Sequence, residues 1–158
     1  MEPGFEIEEQ PESPLLIAVK GHSSSSKSKI VHSLAQFHKF PVFDEEDIIS
    51  ALQDSLETEH CDDLLPLEIL SQISSTQLCL KLSVIISARL SHRAHFDRLV
   101  DLASFTGSRL VFVECSNQND RDLDYYDVGN VPRLDIDTTK PFHAEDFISG
   151  MLKAAVLI

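Results

Sequence analysis

One eight-residue segment of the chain carries side chains of the types that bind phosphate. Gly21, Lys27 and Ser28 stand at the first, seventh and eighth positions of the pattern G-x-x-x-x-G-K-[ST]. In this pattern backbone N–H groups surround a phosphate, the lysine neutralises its charge and the hydroxyl holds magnesium. Ser26 occupies the position of the second glycine, where a Cβ crowds the phosphate. Residues 21–28 therefore predict a phosphate loop with one altered position, and they indicate a fold more firmly than an activity.

The segments around this loop have the patterns of strands and helices. Residues 15–19 form a short continuous apolar run, which is typical of a strand covered on both faces and predicts the central strand. Apolar residues then recur at helical spacing until Pro41 ends the pattern. Further strands are predicted at 42–43, 82–87, 110–115 and 133–137, and further helices begin near residues 48, 66, 91 and 143.

One of these helices has clear end signals. Ser91 is a plausible N-cap, and Gly107 suits the left-handed position that follows a helix. Its buried stripe is predicted to consist of Phe96, Leu99, Val100 and Ala103.

Strands that alternate with helices imply right-handed crossovers and a parallel sheet. We therefore expect an α/β fold in three layers, doubly wound, with a mostly parallel five-stranded sheet and helices on both faces. In such sheets ligands bind at the carboxyl ends of the strands. Residues 15–158 are expected to form this single domain, and residues 1–14, rich in glutamate and proline, to form a flexible acidic arm.

Composition narrows the partners and the compartment. The net charge of -13 repels phosphate backbones and anionic lipids, so neither nucleic acid nor a membrane is an expected partner. The three cysteines are far apart and suggest neither a disulfide framework nor a zinc module. The amino terminus is acidic and resembles no targeting signal. These features predict a location in the cytoplasm, with the nucleus as the alternative.

Taken together, the segments resemble the P-loop kinase-like nucleoside triphosphate hydrolases. The similarity is to the small predicted kinases of the adenylate-kinase, chloramphenicol-phosphotransferase and zeta-toxin type, and within them to a plant branch. It runs from about residue 15 to residue 158. The segments that carry it are Ile17-Ala-Val-Lys-Gly-His22, Lys27-Ser28, the acidic group at 44–47, Leu90-Ser-His-Arg-Ala-His-Phe-Asp-Arg-Leu-Val100, residues 110–115 and Val131-Pro-Arg-Leu-Asp-Ile-Asp-Thr138.

The resemblance implies that ATP binds together with Mg²⁺. In active relatives the loop and its lysine bind the nucleotide phosphates, and the hydroxyl after the lysine binds the metal, which here is the role of Ser28. The implied nucleotide-binding residues are Gly21, His22, Ser23, Ser24, Ser25, Ser26, Lys27 and Ser28. A run of serines is also typical of a plain flexible loop or of a phosphorylation target, so the resemblance leaves nucleotide binding open.

Two carboxylates after the second predicted strand are catalytic candidates. Asp44 and Asp47 resemble the acidic position at which such kinases orient or deprotonate a substrate hydroxyl. The alternative is that residues 44–47 cap the next helix and complement its dipole, as acidic first turns do routinely. The capping role is the favoured interpretation.

The chain departs from the resemblance at three places. In the loop, Ser26 replaces a glycine, and Ser24 stands where relatives often have another. At the end of the third strand, Ser87 stands where an aspartate commonly steers Mg²⁺, and a serine adds no negative charge. Between residues 115 and 131 only Arg121 is available for the arginine-bearing lid that stabilises a transferring phosphoryl group.

These departures favour a degenerate member of the group, a pseudoenzyme with weak or no phosphotransfer that acts through residual ATP binding or through a protein partner. One alternative is an active ATP-dependent small-molecule kinase, with Lys27 and Ser28 at the nucleotide and Asp44 or Asp47 as the base. The other alternative is a protein-interaction module that binds no nucleotide, which would show an exposed apolar patch or form a dimer.

Overall fold

A five-stranded sheet with helices on both of its faces forms the described part of the chain. The computed structural model describes residues 13–55, 64–116 and 125–140. The elements in chain order are β1 Leu15–Lys20, α1 Ser25–His38, β2 Val42–Asp44, α2 Glu45–Ser55, α3 Leu65–Cys79, β3 Val84–Ala88, α4 Arg93–Thr106, β4 Arg109–Ser116 and β5 Arg133–Asp137. Residues 1–12 of the predicted arm, and the helix predicted near residue 143, lie outside the described residues.

The strands lie in the order β2-β3-β1-β4-β5, and every neighbouring pair runs parallel. β1 is central, as its continuous apolar run predicted, and its Ile17 is in register with Ile85 of β3 and Val111 of β4. Parallel neighbours require crossover connections, and helices lie between β1 and β2, between β2 and β3, and between β3 and β4. The predicted α/β class, with a mostly parallel five-stranded sheet covered on both faces, is confirmed.

An apolar core lies on each face of the sheet. Leu16 and Ala18 of β1 pack with residues of α3 and α4, whereas Ile17 and Val19 pack with residues of α1. All four side chains are fully buried. Successive side chains of a strand point to opposite faces, so one short strand contributes to both cores. This position explains why β1 is apolar throughout rather than alternating with polar residues.

The helices follow the predictions except at the start of α2, which is Glu45 rather than near residue 48, and in two details of α4. Its N-cap is His92, which is extended, so the helix begins at Arg93 and the prediction of Ser91 as N-cap is wrong. Val100, predicted on the buried stripe, is 36% exposed because it lies at the rim of that stripe. The predicted end is confirmed, since Gly107 is left-handed with φ of 69°. Among the helices described, none combines the length and the apolar character that crossing a bilayer requires.

Candidate functional site

The phosphate loop, residues 21–28, leaves β1 through a tight turn at Gly21. Its φ of +151° is one that residues with a side chain rarely adopt, and a Cβ there would lie 2.6 Å from the carbonyl oxygen of Cys115. The Gly21 N–H also donates a hydrogen bond of 3.3 Å to the carbonyl of Ala88. The start of the loop is therefore packed against the ends of both β3 and β4, and only a glycine permits this approach.

Ser24 caps the helix that follows. Its backbone is extended, with φ of -162°, and its Oγ accepts a hydrogen bond of 3.1 Å from the Lys27 N–H. α1 then begins at Ser25, and Ser26 lies in its first turn. In this loop no residue other than glycine has a positive φ. Serine at both expected glycine positions therefore fits without backbone strain, but the Ser24 hydroxyl uses one of the N–H groups that a phosphate at this helix end would accept from.

The amine of Lys27 is buried and bonded to the protein backbone. Lys27 is 6% exposed, and its Nζ donates to the carbonyl oxygens of Gly21 at 2.8 Å and Ala88 at 3.0 Å. The side chain thus ties the first turn of α1 to the start of the loop and to the end of β3. These two bonds use two of the three N–H donors of the ammonium group, and one donor remains for a phosphate.

Burial also shapes the ionisation of this lysine. Desolvation lowers the pKa of Lys27 below its ordinary value, while charge on Cys115 and on the carboxylates of Asp44, Glu45 and Glu46 acts in the opposite direction. Burial raises the pKa of the Cys115 thiol to about 12, so this thiol is neutral near pH 7. The carboxylates are therefore the negative charges that act on Lys27 under ordinary conditions.

These three carboxylates, here called the acidic wall, come from the end of β2 and the start of α2. Asp44 accepts a hydrogen bond of 2.9 Å from the Glu46 N–H, the geometry of a helix cap. Glu45 accepts a bond of 3.0 Å from the Arg89 N–H and so ties the turn after β3 to α2. Asp47 is exposed on the first turn of α2. The capping role favoured for this acidic group is thus the role that Asp44 has in the structure.

A narrow cleft brings the loop and the acidic wall together. Its cavity volume is about 30 Å³, which is enough to admit water. The predicted site residues that line it are Gly21, Ser23, Ser24, Lys27, Ser28 and Asp44. The predicted site residues that do not line it are His22, Ser25, Ser26 and Asp47. Sequence reasoning missed Arg89, and it gave Glu45 and Glu46 only the capping role of residues 44–47, although all three lie within three residues of the end of a predicted strand.

Several kinases of known structure share this arrangement of strands and helices. A predicted kinase from Chloroflexus aurantiacus is similar with a TM-score of 0.70 and 16% identity, over 90% of this chain and 98% of the other. A gluconokinase from Sinorhizobium meliloti is similar with a TM-score of 0.60 and 18% identity, over 92% of this chain and 93% of the other. The APS kinase of Mycobacterium tuberculosis, solved in complex with AMPPNP and APS, is similar with a TM-score of 0.65 and 17% identity. The match covers 90% of this chain and 99% of the other. The chain has the P-loop kinase-like fold.

This likeness concerns the fold alone. No protein-family model matches the sequence, and no curated protein matches it. At 16 to 18% identity, the solved structures share the path of the chain and not a demonstrated activity. The cleft of this protein lies at the carboxyl edge of the sheet, where such folds bind ligands.

The cleft contains the Ser28 hydroxyl as a candidate ligand for a magnesium ion and Lys27 as a cationic side chain. The strand-end position expected to hold an acid is Ser87, which is 4% exposed and lines the cleft. Within residues 13–55, 64–116 and 125–140, no group of three or more His, Cys, Asp or Glu side chains is placed to hold a metal. The Ser28 hydroxyl lines the cleft as the candidate metal ligand, and a bound phosphate would have to supply further oxygen ligands. Lys27 and the start of α1, by contrast, are suited to an anion.

A buried ionic network beside the loop was not predicted. Lys20, the last residue of β1, pairs with Glu114 at 2.9 Å, and Arg133 of β5 pairs with the same carboxylate at 2.7 Å. The Lys20 amine also lies 4.3 Å from the ring centroid of Tyr126, whose hydroxyl donates to the carbonyl of Leu90 at 2.6 Å. These contacts join the end of β1 and the last residues of β4 to the start of β5 and to the turn after β3. The only feature of the sequence that indicated this network was the presence of charged residues at or near the ends of these strands.

Proposed function

We propose that this protein is a degenerate P-loop kinase-like protein that binds the phosphates of ATP weakly through residues 21–28 and performs little or no phosphotransfer. The observation that supports this most is the position of Lys27, whose amine donates to the carbonyls of Gly21 and Ala88. A hydrogen bond made by a charged group contributes about 1.5–3 kcal/mol. Two of the three donors of the Lys27 ammonium are held by the backbone, so only one is left for a phosphate.

The cap of α1 supports the same proposal. The Ser24 hydroxyl accepts from the Lys27 N–H, so a phosphate at this helix end competes with a side chain of the loop itself. The acidic wall adds repulsion, because three carboxylates lie in the cleft that would receive the phosphate. Both effects weaken binding of an anion without removing the cationic amine that attracts it.

Phosphotransfer requires more than binding. Mg²⁺, when present with ATP, neutralises charge on the phosphates. In this chain Ser28 offers one hydroxyl, and Ser87 at the end of β3 contributes no negative charge to hold the ion's bound waters. The residues at the cleft therefore support retention of a phosphate site and loss of the metal-dependent step.

The alternative is an active small-molecule kinase, and one observation favours it. Asp44 lines the same cleft as Lys27, so a carboxylate is available near a bound phosphate. Between the two candidate bases this placement favours Asp44 over Asp47, which does not line the cleft. Its use as a helix cap reduces its freedom to accept a proton, because one oxygen already accepts from the Glu46 N–H.

Calorimetric titration with ATP, with and without Mg²⁺, tests the proposal. We expect weak binding that depends little on Mg²⁺ and is abolished in Lys27→Ala. Lys29→Ala is the matched control, since Lys29 is an exposed lysine of the same helix and does not line the cleft. Turnover of ATP should stay at background in the native protein.

Two results would contradict the proposal in different ways. Tight binding that requires Mg²⁺, with turnover lost in Lys27→Ala, would establish the active kinase. No heat of binding at millimolar ATP, together with no change in thermal stability on adding ATP, ADP or inorganic phosphate, would remove the nucleotide from the function and leave the interaction module.

A further inference from the structure

The turn after β3 has a strained backbone at a buried residue. Of the residues that the structure describes, three other than glycine have a positive φ: Lys39, Lys81 and Leu90. The two lysines are exposed and follow the ends of α1 and α3, where a left-handed residue is common. Leu90, with φ of 50°, lies instead between β3 and α4, and its side chain is 1% exposed. A residue with a side chain adopts this conformation at a cost in free energy, so contacts around the turn must hold it there.

Tyr126 bonds to this strained residue from 36 positions further along the chain. Its hydroxyl donates a hydrogen bond of 2.6 Å to the Leu90 carbonyl. Its ring packs against Phe96 of α4 and Phe112 of β4, with centroid distances of 5.9 and 6.1 Å. Both phenylalanines belong to the same buried cluster as the Leu90 side chain. The core therefore holds the ring in place, and the hydroxyl holds the Leu90 carbonyl.

The same turn contacts two parts of the cleft. The Ala88 carbonyl accepts a hydrogen bond of 3.0 Å from the Lys27 amine. The Arg89 N–H donates at 3.0 Å to Glu45, one of the three carboxylates of the acidic wall. Ala88 is paired in the ladder between β3 and β1, whereas Arg89 and Leu90 lie beyond the end of the strand. A change in the backbone of Leu90 therefore acts first on the bond from Arg89 to Glu45.

We propose that Tyr126 is a positioning residue of the phosphate site, which acts through Leu90 to keep the Arg89 N–H bonded to Glu45. This inference rests on the function proposed above, since it concerns the affinity of the same cleft for phosphate. The N–H donor partly compensates a carboxylate that faces an incoming anion, and this charge-assisted bond also fixes where the carboxylate lies. Tyr126 does not line the cleft, so its effect on a bound phosphate is indirect.

Hydrogen exchange of the Arg89 amide in the full-length protein tests this link without any ligand. Tyr126→Phe removes the hydroxyl and keeps the ring, so we expect the Arg89 amide to exchange about tenfold faster, relative to amides of β1 that report global unfolding. The matched control is Tyr125→Phe, because Tyr125 is the only other tyrosine of the chain and is 60% exposed. That control should leave the exchange at Arg89 unchanged. Unchanged exchange in Tyr126→Phe would overturn the proposal.

ATP affinity shows whether the hydroxyl acts through Glu45 or only stabilises the fold. We expect Tyr126→Phe to weaken ATP binding about threefold. Glu45→Ala should strengthen it, because a negative charge leaves the cleft. In the Glu45→Ala protein, adding Tyr126→Phe should have no further effect, since the bond that the hydroxyl maintains is already gone.

Equal weakening by Tyr126→Phe in the native and Glu45→Ala proteins would overturn the proposal, because the hydroxyl would then act by another route. If the native protein binds no ATP, the function proposed above is wrong, and the exchange at Arg89 still decides whether Tyr126 holds the turn.

Discussion

The Nζ atom of Lys27 donates a hydrogen bond of 3.0 Å to the carbonyl oxygen of Ala88, 61 residues further along the chain. This bond joins the first turn of α1 to the end of β3 at the carboxyl edge of the sheet. The charge that a phosphate loop offers to its ligand is here also the charge that holds the loop to the neighbouring strand. The proposed binding of phosphate and the local stability therefore depend on the same amine.

The burial of Lys27 predicts a pH dependence of stability. Because desolvation lowers its pKa in the folded state below the ordinary 10.5, the folded protein releases this proton before the unfolded protein does. The cost of the buried charge is complete below the folded pKa and disappears as the pH approaches 10.5. The free energy of unfolding of the native protein, minus that of Lys27→Met, should rise with pH over this range.

Urea unfolding of both proteins, from neutral pH to pH 10.5, measures this difference. Lys29→Met serves as control, since Lys29 is an exposed lysine of the same helix. A difference for Lys27 that stays flat or falls would mean that the folded pKa is not lowered.

The residue beside Ala88 predicts how metal dependence could be restored. Ser87→Asp places a carboxylate at the end of β3, in the cleft that Lys27 and Ser28 also line. We expect ATP affinity in the presence of Mg²⁺ to rise by about tenfold, equivalent to about 1.4 kcal/mol, with little change in its absence. Ser87→Asn has a similar size without the charge and should show no gain. Equal gains in the two variants would mean that side-chain size, and not charge, changes the site.

The turn at Gly21 predicts an unusually costly glycine substitution. Gly21→Ala would place a Cβ 2.6 Å from the carbonyl oxygen of Cys115 and at an unfavourable φ, so we expect a loss of about 2–4 kcal/mol. Gly107→Ala is the control, since Gly107 also has a positive φ but no atom lies within 4 Å of its added Cβ. Its loss should be about 1 kcal/mol. Urea unfolding distinguishes the two, and equal losses would show that the contact with Cys115 relaxes freely.

The sheet could be predicted because its signals are local. The apolar run of β1, the proline after α1 and the glycine after α4 each act within a few residues, and all three predictions hold. The start of α4 was misplaced because Ser91 and His92 are both able to precede a helix, and the difference depends on which of them is extended. Patterns of sequence locate such a boundary only to within a residue or two.

The candidate site could be predicted only where it follows from a motif. Gly21, Lys27 and Ser28 came from the spacing of the phosphate pattern, and they do meet in the cleft. The hydrogen bond from the Arg89 N–H to Glu45 could not be predicted, because it depends on β2 lying beside β3. The two hydrogen bonds from the Lys27 amine to backbone carbonyls could not be predicted either, because every residue has a backbone carbonyl and the sequence does not show which of them lies near the amine.

The network beside the loop predicts a large effect from a small change. Glu114 accepts from both Lys20 and Arg133, so Glu114→Gln leaves two cations with reduced compensation, of which Lys20 is 2% exposed. Breaking a buried pair by removing one partner costs about 3–5 kcal/mol. Asp135→Asn is the control, because its carboxylate also pairs with Arg133 but is 69% exposed, and its loss should stay below about 1 kcal/mol.

The double variant Lys20→Met, Glu114→Gln decides whether the two buried charges act as a unit. If they do, the double variant loses less stability than the sum of the single variants, because the second substitution removes a cation that the first left without its full partner. Urea unfolding of the four proteins of this cycle gives the coupling energy. Additive losses would mean that Arg133 or the Tyr126 ring compensates Lys20 when the carboxylate is gone, and that the ends of β1 and β4 are held together chiefly by their backbone ladder.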